Sequence, residues 1–330
     1  HNDLTGGTVT IHLSGTAGAM LHDNTLSGGG TGILIDPASM TTGLLAENNR
    51  VSGMTMGIRW NDAGGNGQIL SNVVTGSTTG LRIAAAMGGG VVRGNDVSGG
   101  VTALLYEASA MVEGNSFHGA TTGGVVVGNL GVNGETIPNE FYDNTTGVQL
   151  TGTIQLNNVH DNTTGVTGSG TVGAYSHDRD NEIHDNTTGV GLFNGSVRFN
   201  KIYGNTTGIA AVAGTTIQEN ILWGNTGQGI RVSGVSGVQI RNNTVDAAVG
   251  NAIRLTAGAS NVTVVGNILW ARTGYDIYVD NDSQAGFWSD YNDLHASEAG
   301  KLVWWTRPFD DLLDWQEDVW AYDFHSIGRT

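Results

Sequence analysis

Asp36, Arg59, Arg82 and Glu107 follow one another at intervals of 23, 23 and 25 residues, and two guanidiniums beside two carboxylates could do chemistry. Two adjacent arginines can clamp one carboxylate of a polyuronide while a nearby acid exchanges a proton with the neighbouring carbon, as lyase or epimerase chemistry requires. The same four residues can equally form surface salt bridges, which is the simpler arrangement because exposed strand faces are ordinarily polar. Asp36 and Glu107 are not a glycosidase pair: three repeats separate them, about 14 Å between stacked strands. Arg231, Arg254, Tyr278 and Asp280 make a second polar group of this kind.

Tyr142, His160, His184, Tyr203, Trp223 and Trp270 share one repeat position, where earlier repeats carry Ser27, Ser52, Thr75 and Ser98. Flat amphipathic rings suit the C–H faces of sugars, so this stripe is a candidate glycan-binding site; a ladder of stacked rings also stabilises a sheet face. Asp143, Asp161 and Asp185 each precede an asparagine in an Asp-Asn-Thr-Thr-Gly turn. Like charges about 4.8 Å apart repel, and calcium is a candidate for screening them, although solvent and salt suffice where turns are exposed. No other cofactor is called for.

Such positions line up only if the chain repeats itself. The series Asn2, Asn24, Asn49, Asn72, Asn95, Asn115, Asn139, Asn157, Asn181, Asn200, Asn220, Asn243, Asn267, Asn292 gives fourteen copies with a mean spacing of about 22 residues. Two residues after each asparagine stands an apolar side chain, from Leu4 and Leu26 to Leu269 and Leu294. Farther on, alternating runs such as Gly80-Leu81-Arg82-Ile83 predict short strands. A unit of this size cannot bury its apolar face alone and must stack on copies of itself. A buried asparagine tolerates a left-handed bend and passes its amide to its counterpart one coil away, and Asn144, Asn162, Asn186 and Asn205 read as a second such column before they read as glycosylation sites.

The composition agrees. Of 330 residues 53 are glycine, 3 are proline and none is cysteine, which removes a disulfide framework and thiolate metal sites. A formal net charge of -16 disfavours nucleic acid and anionic bilayers as partners, and no apolar run is long enough to span a membrane.

The Asn-x-Ile-Tyr/His-Asp/Gly-Asn-Thr-Thr-Gly-Val-like units at Asn139, Asn157, Asn181 and Asn200 resemble the right-handed parallel β-helix proteins of the pectate-lyase-like superfamily. So does the tail, with Ser289-Asp290-Tyr291-Asn292, Leu312-Leu313-Asp314-Trp315-Gln316 and Phe324-His325-Ser326-Ile327. The resemblance, which is to secreted bacterial members, implies an all-β solenoid with three strands per coil, an asparagine ladder and an active groove on the sheet that carries Arg59 and Arg82. It does not choose a reaction, since that group holds lyases, epimerases, hydrolases and modules without activity.

Residues 1–296 are thus expected to form the β-helix. Residues 297–330 are expected to form a Trp-rich segment with a short helix from about Pro308, closing the last coil. The middle of the groove sheet, with Val125, Val127, Gly191, Phe193, Ala210 and Val212, is apolar and suggests contact with other domains of a longer protein or with neighbouring copies. The functional expectation is a secreted or cell-surface solenoid that interacts with polysaccharide. A polysaccharide-active enzyme and a structural stalk or assembly subunit are the alternatives.

Overall fold

The computed structural model describes residues 1–14, 18–36, 43–63 and 65–329. Two units, His1–Thr163 and Thr164–Thr330, are each a parallel β-helix with three strands to a coil. In the N-terminal unit one coil runs through Asp96–Ser98, Thr102–Tyr106 and Met111–Glu113 before the next starts at Ser116–His118. Equivalent residues pair in parallel: Val97 with Phe117, Leu104 with Gly124, Val92 with Val112. The C-terminal unit repeats this through Ile221–Trp223, Gln228–Ser233 and Gln239–Arg241. The strands that follow the asparagines make up the ladder sheet, and those that come next make up the groove sheet.

The ladder holds the corners. In the N-terminal unit Asn49 Nδ2 donates to Asn72 Oδ1 at 2.9 Å and Asn72 Nδ2 to Asn95 Oδ1 at 2.9 Å. In the C-terminal unit Asn200, Asn220, Asn243 and Asn267 are linked in the same way at 2.9, 2.9 and 3.0 Å. The left-handed bend lies one position earlier than expected. Asp23, Asn48, Ser71 and Leu156, each just before a ladder asparagine, have φ of 57, 54, 53 and 55°. The asparagine itself is not left-handed, and its buried bonds hold the preceding residue in a conformation that costs roughly 1–2 kcal/mol.

The second column exists as well. Asn144 donates to Asn162 at 3.1 Å in the N-terminal unit, and Asn186 to Asn205 and Asn205 to Asn225 at 3.0 and 3.1 Å in the C-terminal unit. These amides are buried, so the sequons serve the fold. Inside, the apolar partners from Leu26 to Leu294 are buried, and Phe117 stacks on Phe141 at 5.0 Å; Leu4, in the first coil, is half-buried.

One stretch departs from simple alternation. Phe193, expected to face outward, is 1% exposed, while Leu192, with φ of 50°, is 76% exposed. The strand Thr188–Arg198 carries a bulge there, and one extra residue reverses the parity of all that follow. Coil pairing also runs past residue 296: Lys301–Trp304 pairs with Tyr275–Val279, and Ile327–Arg329 with Asp293–Ala296. Between them lies the helix Leu312–Val319, whose N-cap Asp311 accepts from the Leu313 and Asp314 amides. Trp315 is 1% exposed among Trp305, Phe309 and Tyr322, and its Nε1 donates to Asp323 Oδ2 at 3.0 Å. Asp323 Oδ1 accepts from Asn292 Nδ2 at 3.1 Å, so the last ladder amide has a partner. Trp288, 48% exposed, meets the cluster edge-on at Tyr322, 6.3 Å between ring centres, and Trp320, at 79% exposure, stands outside it. No described helix is long and apolar enough to cross a membrane.

Candidate functional site

On the groove sheet of the N-terminal unit, Leu34, Arg59 and Arg82 are in register. Arg82 makes a fork to Glu107, Nε to Oε2 at 2.7 Å and Nη2 to Oε1 at 3.2 Å. Asp36 accepts from Asn61 Nδ2 at 2.8 Å and lies 3.6 Å from His12 Nε2, while Arg59 Nη2 donates to Asn61 Oδ1 at 3.3 Å. The four expected residues do come together on one face. Their arrangement is that of cross-strand pairing: Glu107 takes up the guanidinium that a substrate carboxylate would need, and Arg59 bonds an amide.

The rings of the ladder sheet stack on one another. In the N-terminal unit His118, Tyr142 and His160 follow at 4.6 and 5.2 Å, each pair within 4° of parallel. In the C-terminal unit His184, Tyr203 and Trp223 follow at 4.7 and 4.4 Å, and Trp270 stacks on His295 at 4.9 Å. Faces that stack within a column are not open to sugar rings, so a glycan meeting this stripe meets ring edges. The edges bond carboxylates: His160 Nε2 contacts Glu140 at 3.0 Å and its Nδ1 contacts Asp161 at 2.7 Å, and Tyr203 donates to Glu182 at 3.2 Å. The bond to Glu140, reinforced by Asp161, raises the His160 pKa against the opposing effect of burial.

Asp143, Asp161 and Asp185 have φ of 55, 54 and 53°, each just before an asparagine of the second column. An aspartate suits that corner because its short polar side chain tolerates the left-handed conformation. Asp161 and Asp185 turn to their own preceding imidazoles, at 2.7 and 2.8 Å. Among the described residues no group of three or more His, Cys, Asp or Glu side chains is placed to hold a metal ion.

The groove sheet of the C-terminal unit carries a different arrangement. Arg231, Arg254, Tyr278 and Trp304 lie in register on consecutive strands. Tyr278 stacks on Trp304 at 5.7 Å, and the Arg254 guanidinium lies 4.9 Å from the Tyr278 ring centre. Beside this column an open groove is lined by Gln228, Arg231, Arg254, Thr256, Asp280 and Asp282. Arg231, Arg254, Tyr278 and Asp280 were legible as a patch. Trp304 was not, because the repeat was expected to end before it; the alternation in Lys301-Leu302-Val303-Trp304 was the available signal.

A family model described as "Periplasmic copper-binding protein (NosD)" matches residues 1–169 of the 330, just over half of the chain, and "Right handed beta helix region" matches residues 151–287. Among solved structures the chain is similar to the periplasmic alginate epimerase AlgG, at 14% identity and a TM-score of 0.41 over 98% of this chain and 78% of that one. It is also similar to the A-module of the Azotobacter vinelandii mannuronan C-5 epimerase AlgE6, at 14% identity and a TM-score of 0.36 over 100% and 91% of the two chains. Among curated proteins none matches. The donor set does not fit copper. The chain has no cysteine, and among the described residues no group of three or more His, Cys, Asp or Glu side chains is placed to hold a metal ion; His118, His160, His184 and His325 are bonded to carboxylates instead.

Proposed function

This chain belongs to the family described as periplasmic copper-binding protein (NosD), and from that premise we propose that it is a secreted or periplasmic β-solenoid that binds polysaccharide along the groove sheet of its C-terminal unit. The observation that carries this reading is the open groove of Gln228, Arg231, Arg254, Thr256, Asp280 and Asp282. An amide, a hydroxyl, guanidiniums and carboxylates converge there on a rigid sheet, and such a mixture bonds the donor and acceptor sides of sugar hydroxyls. Parallel strands about 4.8 Å apart repeat these groups along the coil axis, as an extended polymer requires. The family's description and the alginate epimerase neighbours are compatible with a location outside the cytoplasm, and copper has no part in the proposal.

Affinity electrophoresis through gels containing neutral and acidic polysaccharides tests it. Wild type should be retarded by at least one polymer, and Thr256→Trp, which fills the groove from an outward position, should not be. Equal retardation of both proteins, with unchanged circular dichroism, would move the site elsewhere; no retardation on any gel would remove the function.

A further inference from the structure

The groove holds two neighbouring arginines without acidic partners. Arg82, Arg93, Arg272, Arg307, Lys201 and Lys301 each hold a carboxylate. Among the described residues neither Arg231 nor Arg254 reaches a carboxylate at salt-bridge distance, although the chain carries 30 acidic side chains. The two carboxylates that line the same groove are engaged by local donors. Asp280 accepts from the Asn281 amide at 3.0 Å, and Asp282 from the Ser283 hydroxyl at 2.8 Å. Arg254 leans on the Tyr278 ring, and Arg231, directly across from it on the preceding strand, is exposed.

Two guanidiniums on adjacent strands repel unless an anion lies between them, and their planar forks suit an oxyanion with two acceptor oxygens. We propose that Arg231 and Arg254 form a subsite for the oxyanion substituent of an acidic polysaccharide, a carboxylate or a sulfate ester. Asp280, Asp282, Gln228 and Thr256 accept from or donate to the hydroxyls of that sugar and its neighbours. The inference rests on the polysaccharide reading and narrows it to a charge class. Because the whole chain carries -16, it repels a polyanion in general, so retention of one reports a local site.

The test is binding by isothermal titration in EDTA to polygalacturonate, its methyl ester, dextran sulfate and dextran. Wild type should bind one of the two polyanions at least tenfold more tightly than its uncharged counterpart, and which one it binds assigns carboxylate or sulfate. Arg231→Ala/Arg254→Ala should abolish that preference with the melting temperature unchanged, and Arg231→Lys/Arg254→Lys should restore only part of it. Equal affinity for charged and uncharged polymers would overturn the subsite while leaving the polysaccharide reading intact. So would a double alanine variant that keeps the preference. Binding to none of the four would overturn both.

Discussion

Arg272 pairs with Asp246 at 2.7 Å, and its guanidinium lies 4.9 Å from the ring centre of Trp270. Asp246 is in register with Trp223 on one side and Trp270 on the other, at a point where the C-terminal ring column lacks a ring. The flat cation therefore stands in for an aromatic side chain, with Asp246 beneath it. Arg272→Ala should destabilise the protein by about 1 kcal/mol, combining a half-exposed ion pair with a cation–π contact. Asp246→Tyr placed on that background should recover stability, because it restores a ring at the vacant step; thermal melts of both variants check this.

Asn72 is fully buried, and its side chain makes four bonds of the ladder. It accepts from the Asn49 amide and side chain at 3.0 and 2.9 Å and donates to Ala46 O and Asn95 Oδ1 at 2.9 Å each. Asn72→Ala leaves buried donors and acceptors unpaired and should cost about 3 kcal/mol or more. In urea the midpoint should fall with little change in slope.

His160 is bonded by Glu140 and Asp161, and its folded pKa is raised for that reason. A histidine with a raised folded pKa contributes stability that is complete below its unfolded pKa and is lost as pH rises through the folded one. Stability of the wild type should therefore decline above the ordinary imidazole range. Glu140→Gln should lower the His160 pKa in an NMR titration and flatten that decline; an unmoved pKa would assign the shift to other groups.

Asp276 changes stability in the same direction, beginning at a lower pH. It is buried, its Oδ1 accepts from the Ala271 amide at 2.7 Å, and the His295 backbone amide also acts on the carboxyl. Burial raises its pKa well above the carboxylate range. Between the unfolded and folded pKa values the native state binds more protons than the unfolded one, so stability falls as pH rises through that window. Asp276→Asn should melt higher than wild type at pH 7 and should lose this advantage below the ordinary carboxylate pKa.

What could be read from the chain follows from how each feature is encoded. The ladder and its apolar partners were legible because Asn24, Leu26 and their counterparts recur at one period and must share one interior. The ring positions were legible as a column open to two readings, glycan binding and mutual stacking, and the coordinates show the stacking, with Tyr203 face to face on Trp223. The reversal at Leu192 escaped because a bulge changes parity without changing composition. Asp276 stands where Gly229 and Ala252 stand in earlier coils, an inward position where no spacing rule foretells a carboxyl group. The partnerless state of Arg231 depends on where Asp280 and Asp282 turn, and that is decided by the local donors Asn281 and Ser283.

The most direct measurement is a crystal structure of the protein with a short acidic oligosaccharide, either an oligogalacturonate or a sulfated oligomer. The account predicts sugar density in the groove beside Gln228 and Thr256, with an oxyanion about 3 Å from the guanidiniums of Arg231 and Arg254. Density along the ring column or beside Arg59, with this groove empty at saturating ligand, would contradict it.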